Sequence, residues 1–179
     1  MIAFAPYFVE YGSYVRNYDG DLVVISPDTE ISSLIWTSLS RRLPQGPRAV
    51  IINTPNNPTG VVYSAGTLAQ DGGYPAGQRR RRLGTAIVLI SDEPYRELAY
   101  DGVDVPYVTN VYDNTVICYS YSKSLSLPGE RIGYLVIPDA LKDSGEVFNA
   151  ATIANRVHGL RQRPVPDAAS HQTLHRRAR

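Results

Sequence analysis

The stretch Thr115-Val-Ile-Cys-Tyr-Ser-Tyr-Ser-Lys123 passes from a continuously apolar run into a cluster of hydroxyl side chains that ends in a lysine. β-Branched and aromatic residues favour strands, and an apolar run without alternation is typical of a parallel sheet buried on both faces. Further runs of this kind predict five more strands, at Ile2 to Ala5, Leu22 to Ile25, Ala49 to Ile52, Ala86 to Ile90 and Gly133 to Ile137. Such a sheet needs helical cover, so the sequence predicts an α/β fold with a mainly parallel sheet flanked by helices.

Polar residues follow three of these strands directly, at Asn53 to Gly60, Ser91 to Tyr95 and Ser120 to Lys123. In open α/β sheets, ligands bind outside the carboxyl ends of the strands. Because the three clusters have the same position relative to their strands, we expect them to form one shared site.

The composition narrows the class of partner. The 179 residues include 18 basic and 17 acidic side chains, so no overall field favours nucleic acid or an anionic membrane. The one cysteine, Cys118, cannot form an internal disulfide, which fits a reducing compartment. No apolar stretch approaches the roughly 20 residues of a membrane span, and the N-terminus lacks the order of a signal peptide. We therefore expect a cytoplasmic protein whose partners are small molecules, with no nucleic acid and no membrane.

Lys123 and Arg131 suggest the chemistry of the site. A lysine at the end of a buried strand offers an amine for a phosphorylated aldehyde cofactor, and arginine and serine hydroxyls such as Ser120 can bind its phosphate. The alternative is a solvated lysine in a loop beside a surface arginine.

Asp92 and Asn57 each have two interpretations as well. A carboxylate directly after an apolar strand can pair with a pyridine nitrogen, with Tyr95 close enough to bind a ring hydroxyl, but aspartate is also a common helix N-cap. Asn57 lies in a turn dense in asparagine and proline, and an ordinary turn uses the same residue types.

The order of these motifs resembles the signature series of class I (fold type I) aminotransferases, over roughly Ile2 to Ala150. The matching segments are Asn57-Pro-Thr-Gly60, Asp92-Glu-Pro-Tyr95, Ser120-Tyr-Ser-Lys123 and Glu130-Arg-Ile-Gly133. The resemblance implies the large domain of a pyridoxal 5'-phosphate (PLP)-dependent transferase, truncated here. It also implies that Gly133 to Ile137 is an antiparallel strand and makes Asn57-Pro58 a candidate cis peptide bond.

By this resemblance, Lys123 is the Schiff-base lysine and proton shuttle, and Asp92 pairs with the pyridinium nitrogen. Asn57 and Tyr95 would bind the ring hydroxyl. The phosphate would be held by Ser120 and Arg131, with Ser122 as an additional contact. Phe8, in Ala5-Pro-Tyr-Phe-Val-Glu-Tyr11, would stack on the ring, or alternatively fill the core.

The implied activity is transfer of an amino group between an amino acid and a 2-oxo acid. A PLP-dependent β-lyase and a non-catalytic remnant are the alternatives. Family members are longer homodimers with active sites at the subunit interface, and they carry a phosphate-binding helix start and a carboxylate-binding arginine beyond the region matched here. We therefore expect this chain to be weakly active or inactive, with dimerisation in doubt.

Two stretches do not fit the pattern. Residues 1–157 are predicted to form a partial PLP-binding domain, and residues 158–179 a disordered tail. The glycines and proline between Gly66 and Gly84 argue against a regular helix before about Gln78, since each disfavours helix by roughly 1 to 3 kcal/mol. Our hypothesis is that the two stretches, Gly66 to Gly84 and Gly159 to Arg179, are translated out of frame. The alternative for the arginine run at Arg79 to Arg82 is a genuine phosphate-binding or nucleic-acid-binding patch. A short helix is expected at Ser33 to Leu43, and no metal is expected at the pair formed by His171 and His175.

Overall fold

The computed structural model describes residues 1–26, 48–72 and 87–157. The helix predicted at Ser33 to Leu43, the part of the anomalous stretch after Gly72, and the tail with its two histidines lie outside these residues. The predicted domain boundary at residue 157 stays a prediction.

Six strands of the described residues form one sheet, in the order β2-β1-β3-β4-β5-β6. Their bounds are β1 Ile2–Phe4, β2 Val23–Ile25, β3 Ala49–Asn53, β4 Val88–Asp92, β5 Thr115–Ser120 and β6 Gly133–Val136. Strands β1 to β5 pair in parallel, and β6 runs antiparallel to β5. The predicted strands, the mainly parallel sheet and the antiparallel sixth strand are therefore confirmed.

The strand register brings the predicted polar clusters to one edge of the sheet. Asn53 is the cross-strand neighbour of Asp92, and Asp92 is the neighbour of Cys118 on β5. On the other side of β5, Ser120 lies opposite Gly133. The chain therefore leaves β3, β4 and β5 at neighbouring points, and the segments that follow them start side by side.

Apolar side chains from the strands and from the flanking segments form the core. The buried cluster consists of Ile2, Val50, Ile52, Leu68, Ile87, Leu89 and Val108. Full burial of a side chain of this size stabilises the folded state by roughly 1.5 to 3 kcal/mol, so this cluster fixes the sheet that carries the site.

The described helices are α1 Tyr11–Arg16, α2 Ala65–Gly72, α3 Tyr121–Ser124 and α4 Ser144–Val157. Helix α2 corrects the expectation that no regular helix forms before about Gln78. Ser64 caps its start, because the Ser64 side chain accepts a hydrogen bond from the Thr67 N–H at 3.0 Å. Leu68 is buried in the core, and this packing, together with the cap, outweighs the low helix propensity of Gly66.

The chain divides into two compact units, Met1–Ser144 and Gly145–Arg179. The first contains the whole described sheet and every candidate site residue. Within the ranges that the structure describes, no helix has both the length and the apolar character needed to cross a membrane.

Candidate functional site

Asn53 ties the ends of β3 and β4 together. Its Nδ2 donates to the carbonyl oxygen of Asp92 at 2.8 Å, and its Oδ1 accepts from the backbone N–H of Asn57 at 2.5 Å. Asn53 is only 4% exposed, so its side chain is largely shielded from water. Two predicted site residues, Asn57 and Asp92, are therefore held at a fixed separation by a third residue.

The carboxylate of Asp92 is partly buried and is held by one oxygen. The hydroxyl of Tyr11 donates to Oδ2 of Asp92 at 2.5 Å, while Oδ1 has no hydrogen-bond partner within residues 1–26, 48–72 and 87–157. Burial raises the pKa of Asp92 above its ordinary value, the hydrogen bond from Tyr11 opposes that shift, and the nearby charge of Glu93 adds to it. One oxygen is thus left to meet a ligand.

Asn57 and Tyr95 line the same cavity, which has a volume of about 460 Å³. The loop that carries Asn57 is fixed from within, because Oδ1 of Asn56 accepts hydrogen bonds from the N–H and the hydroxyl of Thr59 at 3.2 and 2.7 Å. The Asn57-Pro58 peptide bond is cis, as are Ala5-Pro6 and Thr54-Pro55. The structure therefore brings the two predicted hydroxyl-binding residues to one opening.

Lys123 lies in α3, directly after β5. Ser120 caps this short helix: its Oγ accepts from the Ser122 N–H at 3.2 Å and is 2.8 Å from the Ser122 hydroxyl oxygen. The Lys123 side chain is exposed, and its Nζ is 5.7 Å from the centroid of the Tyr95 ring. In the described part of the chain this amine has no ion-pair or hydrogen-bond partner, so Lys123 faces Tyr95 with its nitrogen uncommitted.

Arg131 is less directly connected to the other predicted residues. It adopts a left-handed conformation with φ 53°, and its exposed guanidinium donates to the Pro128 carbonyl at 3.0 Å. No hydrogen bond among the described residues joins it to Ser120 or Ser122. Its backbone is nevertheless held beside Ser120, because the N–H of Tyr121 donates to the Ile132 carbonyl at 3.1 Å.

Phe8 is half-buried and lies one aromatic ring away from Asp92. Its ring meets the Tyr11 ring edge-on, with the centroids 5.7 Å apart and the planes at 81°. This contact is compatible with both roles that the sequence allows for Phe8, which are stacking on the cofactor ring and filling the core. The role of Phe8 therefore stays a prediction.

Sequence reasoning missed three residues that shape this site. Tyr11 holds Asp92 and Asn53 holds two loops, while the third, Glu93, is 1% exposed and accepts two hydrogen bonds from Arg96, at 2.9 and 2.7 Å. Two of them carried a signal: Tyr11 ends the segment that contains Phe8, and Asn53 opens the polar cluster after β3. Nothing in the sequence links either residue to Asp92, because their partners are distant along the chain.

Arg96 fixes the segment that follows Tyr95. Besides Glu93, its guanidinium donates to the carbonyls of Val105 and Pro106 at 2.7 and 2.9 Å, and it lies 4.2 Å from the centroid of the Tyr107 ring. A buried carboxylate and one guanidinium therefore close the loop between residues 97 and 104 at its base.

The chain is similar to known transferases in sequence and structure. An aspartate aminotransferase from Bacillus sp. (strain YM-2) is 30% identical over 82% of this chain and 36% of that protein. An aminotransferase structure from Eubacterium rectale superposes with a TM-score of 0.80 at 47% identity, over 88% of this chain and 39% of that chain. The aspartate aminotransferase of Thermus thermophilus, solved with maleate, gives a TM-score of 0.64 at 27% identity, over 84% and 38% of the two chains.

The chain spans well under half the length of these relatives. The family model described as aminotransferase class I and II matches residues 1–175, nearly the whole chain. The motif order, the sheet topology and this match agree, and the chain belongs to the class I and II aminotransferase family.

Proposed function

We propose that this chain carries the PLP-binding part of an aminotransferase, which moves an amino group between an amino acid and a 2-oxo acid. The observation that carries the proposal is a pair of uncommitted groups at one sheet edge. Oδ1 of Asp92 and Nζ of Lys123 have no hydrogen-bond or ion-pair partner in the described ranges. Asp92 is the last residue of β4, and Lys123 follows the adjacent parallel strand β5.

The side chains at this edge fit the donors and acceptors that PLP needs. Class I and II aminotransferases depend on PLP, whose ring carries a basic nitrogen, a hydroxyl and a phosphate. Asp92 offers a carboxylate oxygen to the ring nitrogen. Asn57 and Tyr95 share a cavity that can receive the hydroxyl, and Ser120, Ser122 and Arg131 supply donors for a phosphate.

Each residue then has a distinct task in the proposed reaction. PLP, when bound, serves as an electron sink for charge that develops at the α-carbon of the substrate. Asp92 keeps a proton on the ring nitrogen, Asn57 and Tyr95 orient the ring through its hydroxyl, and Phe8 covers one face. Nζ of Lys123 first holds the cofactor and then moves the proton that leaves the substrate α-carbon.

The chain offers a sharp test, because it contains only two lysines, Lys123 and Lys142. After incubation with PLP and reduction with borohydride, peptide mapping by mass spectrometry should place the cofactor on Lys123. Lys142 is the matched control: it is exposed and lies 3.6 Å from the Asp143 carboxylate. Lys142→Ala should keep the visible absorbance of the lysine-bound cofactor, whereas Lys123→Ala should lose it.

Equal labelling of both lysines and of the N-terminal amine would argue against a specific site. A second measurement separates amino transfer from lyase chemistry: the weak activity expected of the PLP-loaded chain should convert an added amino acid to its 2-oxo acid, with an upper limit of about one equivalent per bound cofactor. Release of the substrate side chain as a leaving group would favour a β-lyase instead.

The proposal extends to the substrates, partner and location of the protein. We propose small-molecule amino acids and 2-oxo acids as substrates, a homodimer at full family length, and a cytoplasmic location. The single cysteine supports the location, because Cys118 is largely shielded from solvent and has no cysteine partner in this chain.

A further inference from the structure

Tyr11 is a buried tyrosine whose hydroxyl ends on the Asp92 carboxylate. The residue is 4% exposed, and its hydroxyl donates at 2.5 Å to Oδ2 of Asp92, which lies 81 residues further along the sequence. Hydrogen bonds from a hydroxyl to a charged oxygen are short and are stronger than those between neutral groups. This is therefore a close contact between α1 and the end of β4.

Neighbouring rings hold Tyr11 in place. The Tyr7 ring stacks on it with a centroid separation of 6.3 Å, and Phe8 meets it edge-on at 5.7 Å. The backbone N–H of Tyr11 donates to the Phe8 carbonyl at 3.1 Å. A rigid ring packed in this way directs its hydroxyl to one point, so it can fix the orientation of the carboxylate that it binds.

The surroundings of Asp92 otherwise disfavour its charged form. Burial and the negative charge of Glu93 raise the pKa of Asp92, and the hydrogen bond from Tyr11 lowers it. Burial and the charge of Asp92 also raise the pKa of Tyr11 itself, so this hydroxyl keeps its proton and remains a donor. The other ionisable groups that act on this pair are Tyr14 on α1, Glu93 and Tyr95 after β4, and Cys118 on β5.

We propose that Tyr11 is a positioning residue: it holds Asp92 as an anion by Oδ2 and thereby reserves Oδ1 for the ring nitrogen of the cofactor. This inference rests on the proposed function, because the ring nitrogen belongs to PLP. In the described part of the chain, Tyr11 is the only hydrogen-bond donor to this carboxylate. Without this hydrogen bond, Asp92 would be protonated more readily. A neutral Asp92 could not stabilise a positive charge on the ring.

Tyr11→Phe tests the inference, because it removes only the hydroxyl oxygen. In the cofactor-free chain, the pKa of Asp92 followed by ¹³C NMR of its carboxyl carbon should rise by about one to two pH units, given the usual strength of a hydrogen bond to a charge. The dissociation constant for PLP should increase roughly tenfold to a hundredfold.

Tyr14→Phe is the matched control, on the same helix. Its hydroxyl donates to Glu10 at 2.5 Å and not to Asp92, so its loss should change the Asp92 titration and the PLP affinity far less than the loss of the Tyr11 hydroxyl does. An Asp92 titration that is the same in Tyr11→Phe and wild type would overturn the inference. A different outcome is that PLP binds neither the wild-type chain nor Tyr11→Phe, while the Asp92 titration still differs between the two. The proposed cofactor would then be wrong, and the inference that Tyr11 stabilises the Asp92 anion would stand.

A measurement on the wild-type chain covers the case in which Tyr11→Phe does not fold. The Tyr11 hydroxyl proton should give a downfield ¹H resonance that exchanges slowly with water and that disappears in Asp92→Ala. Fast exchange of this proton in the folded wild-type chain would overturn the inference.

Discussion

Gly133 occupies a position at which no side chain fits. It opens β6 opposite Ser120, and a Cβ built on it would overlap the carbonyl oxygen of Tyr119. The obstacle is backbone, which cannot rotate away as a flexible side chain can. A glycine here therefore allows β6 to approach β5 closely, next to the segment that carries Lys123.

We expect Gly133→Ala to lower the free energy of unfolding by about 1 to 3 kcal/mol, because overpacking forces the two strands apart. Urea denaturation followed by circular dichroism measures this. Gly129→Ala is the control, since a Cβ at Gly129 would meet no atom within 4 Å. Its effect should stay within about 1 kcal/mol of wild type. Equal losses in the two variants would contradict the steric explanation.

Residue types indicated much of the chemistry of the site but not its support. The sequence pointed to Lys123, Asp92 and Asn57 because an amine, a carboxylate and an amide after buried strands suit a charged aromatic ligand. It did not point to Tyr11, whose hydroxyl meets Asp92 only after the sheet has formed. Hydrogen bonds between distant segments depend on tertiary structure, so composition and spacing do not reveal them.

At the scale of elements, the strands were readily predicted and the helix α2 was not. Continuous apolar runs indicate buried strands, and all six lie close to their expected positions. The propensity argument failed for helix α2. The unfavourable helix propensity of its glycine contributes less free energy than the side-chain cap and the buried leucine together. The order of strands in the sheet also followed only from the structure, since no local pattern specifies which strands pair.

Asn53 links two elements, and its removal should affect both. Asn53→Ala would leave the N–H of Asn57 and the carbonyl of Asp92 without this partner, at a cost of roughly 1 to 3 kcal/mol for each buried group that stays unsatisfied. We expect a lower urea midpoint together with weaker PLP binding, the latter measured by fluorescence titration.

Asn56→Ala tests whether the effect of Asn53→Ala comes from the lost link between β3 and β4 or from a less rigid loop. Asn56 bonds mainly within its own loop, to Thr59, and its side chain is more accessible than that of Asn53. Its replacement should cost less than about 1 kcal/mol. If Asn56→Ala weakens PLP binding as much as Asn53→Ala does, loop conformation rather than the β3 to β4 link sets the affinity.

The molecule as a whole should lose stability in alkaline solution. Burial raises the pKa of Cys118 from 9.0 to about 12, and it is also the main cause that raises the pKa values of Tyr119 and Tyr134 from 10.0 to about 12. The folded chain therefore keeps protons that the unfolded chain releases. This contribution to stability is fully present below about pH 9 and is lost as the pH rises towards about 12.

Urea midpoints measured at about pH 8, 9, 10 and 11 should be constant at first and then fall. Cys118→Ala provides the check, because it removes the group with the lowest ordinary pKa among these three. The onset of the fall should move from about pH 9 to about pH 10, where tyrosines begin to ionise in the unfolded chain. An onset that does not move would mean that the thiol is not responsible for the first part of the loss.

The loop after Tyr95 has a practical consequence. Arg96 pins both of its ends, while its tip at Asp101 and Gly102 is exposed and has φ values of 59° and 69°. Added length at such a tip costs little entropy, since the cost of closing a loop grows only slowly with its size. A short fluorescent reporter peptide inserted between these two residues would leave the sheet intact. Because Asp101 lines the cavity that Asn57 and Tyr95 share, the fluorescence of the reporter would change when a molecule binds in that cavity.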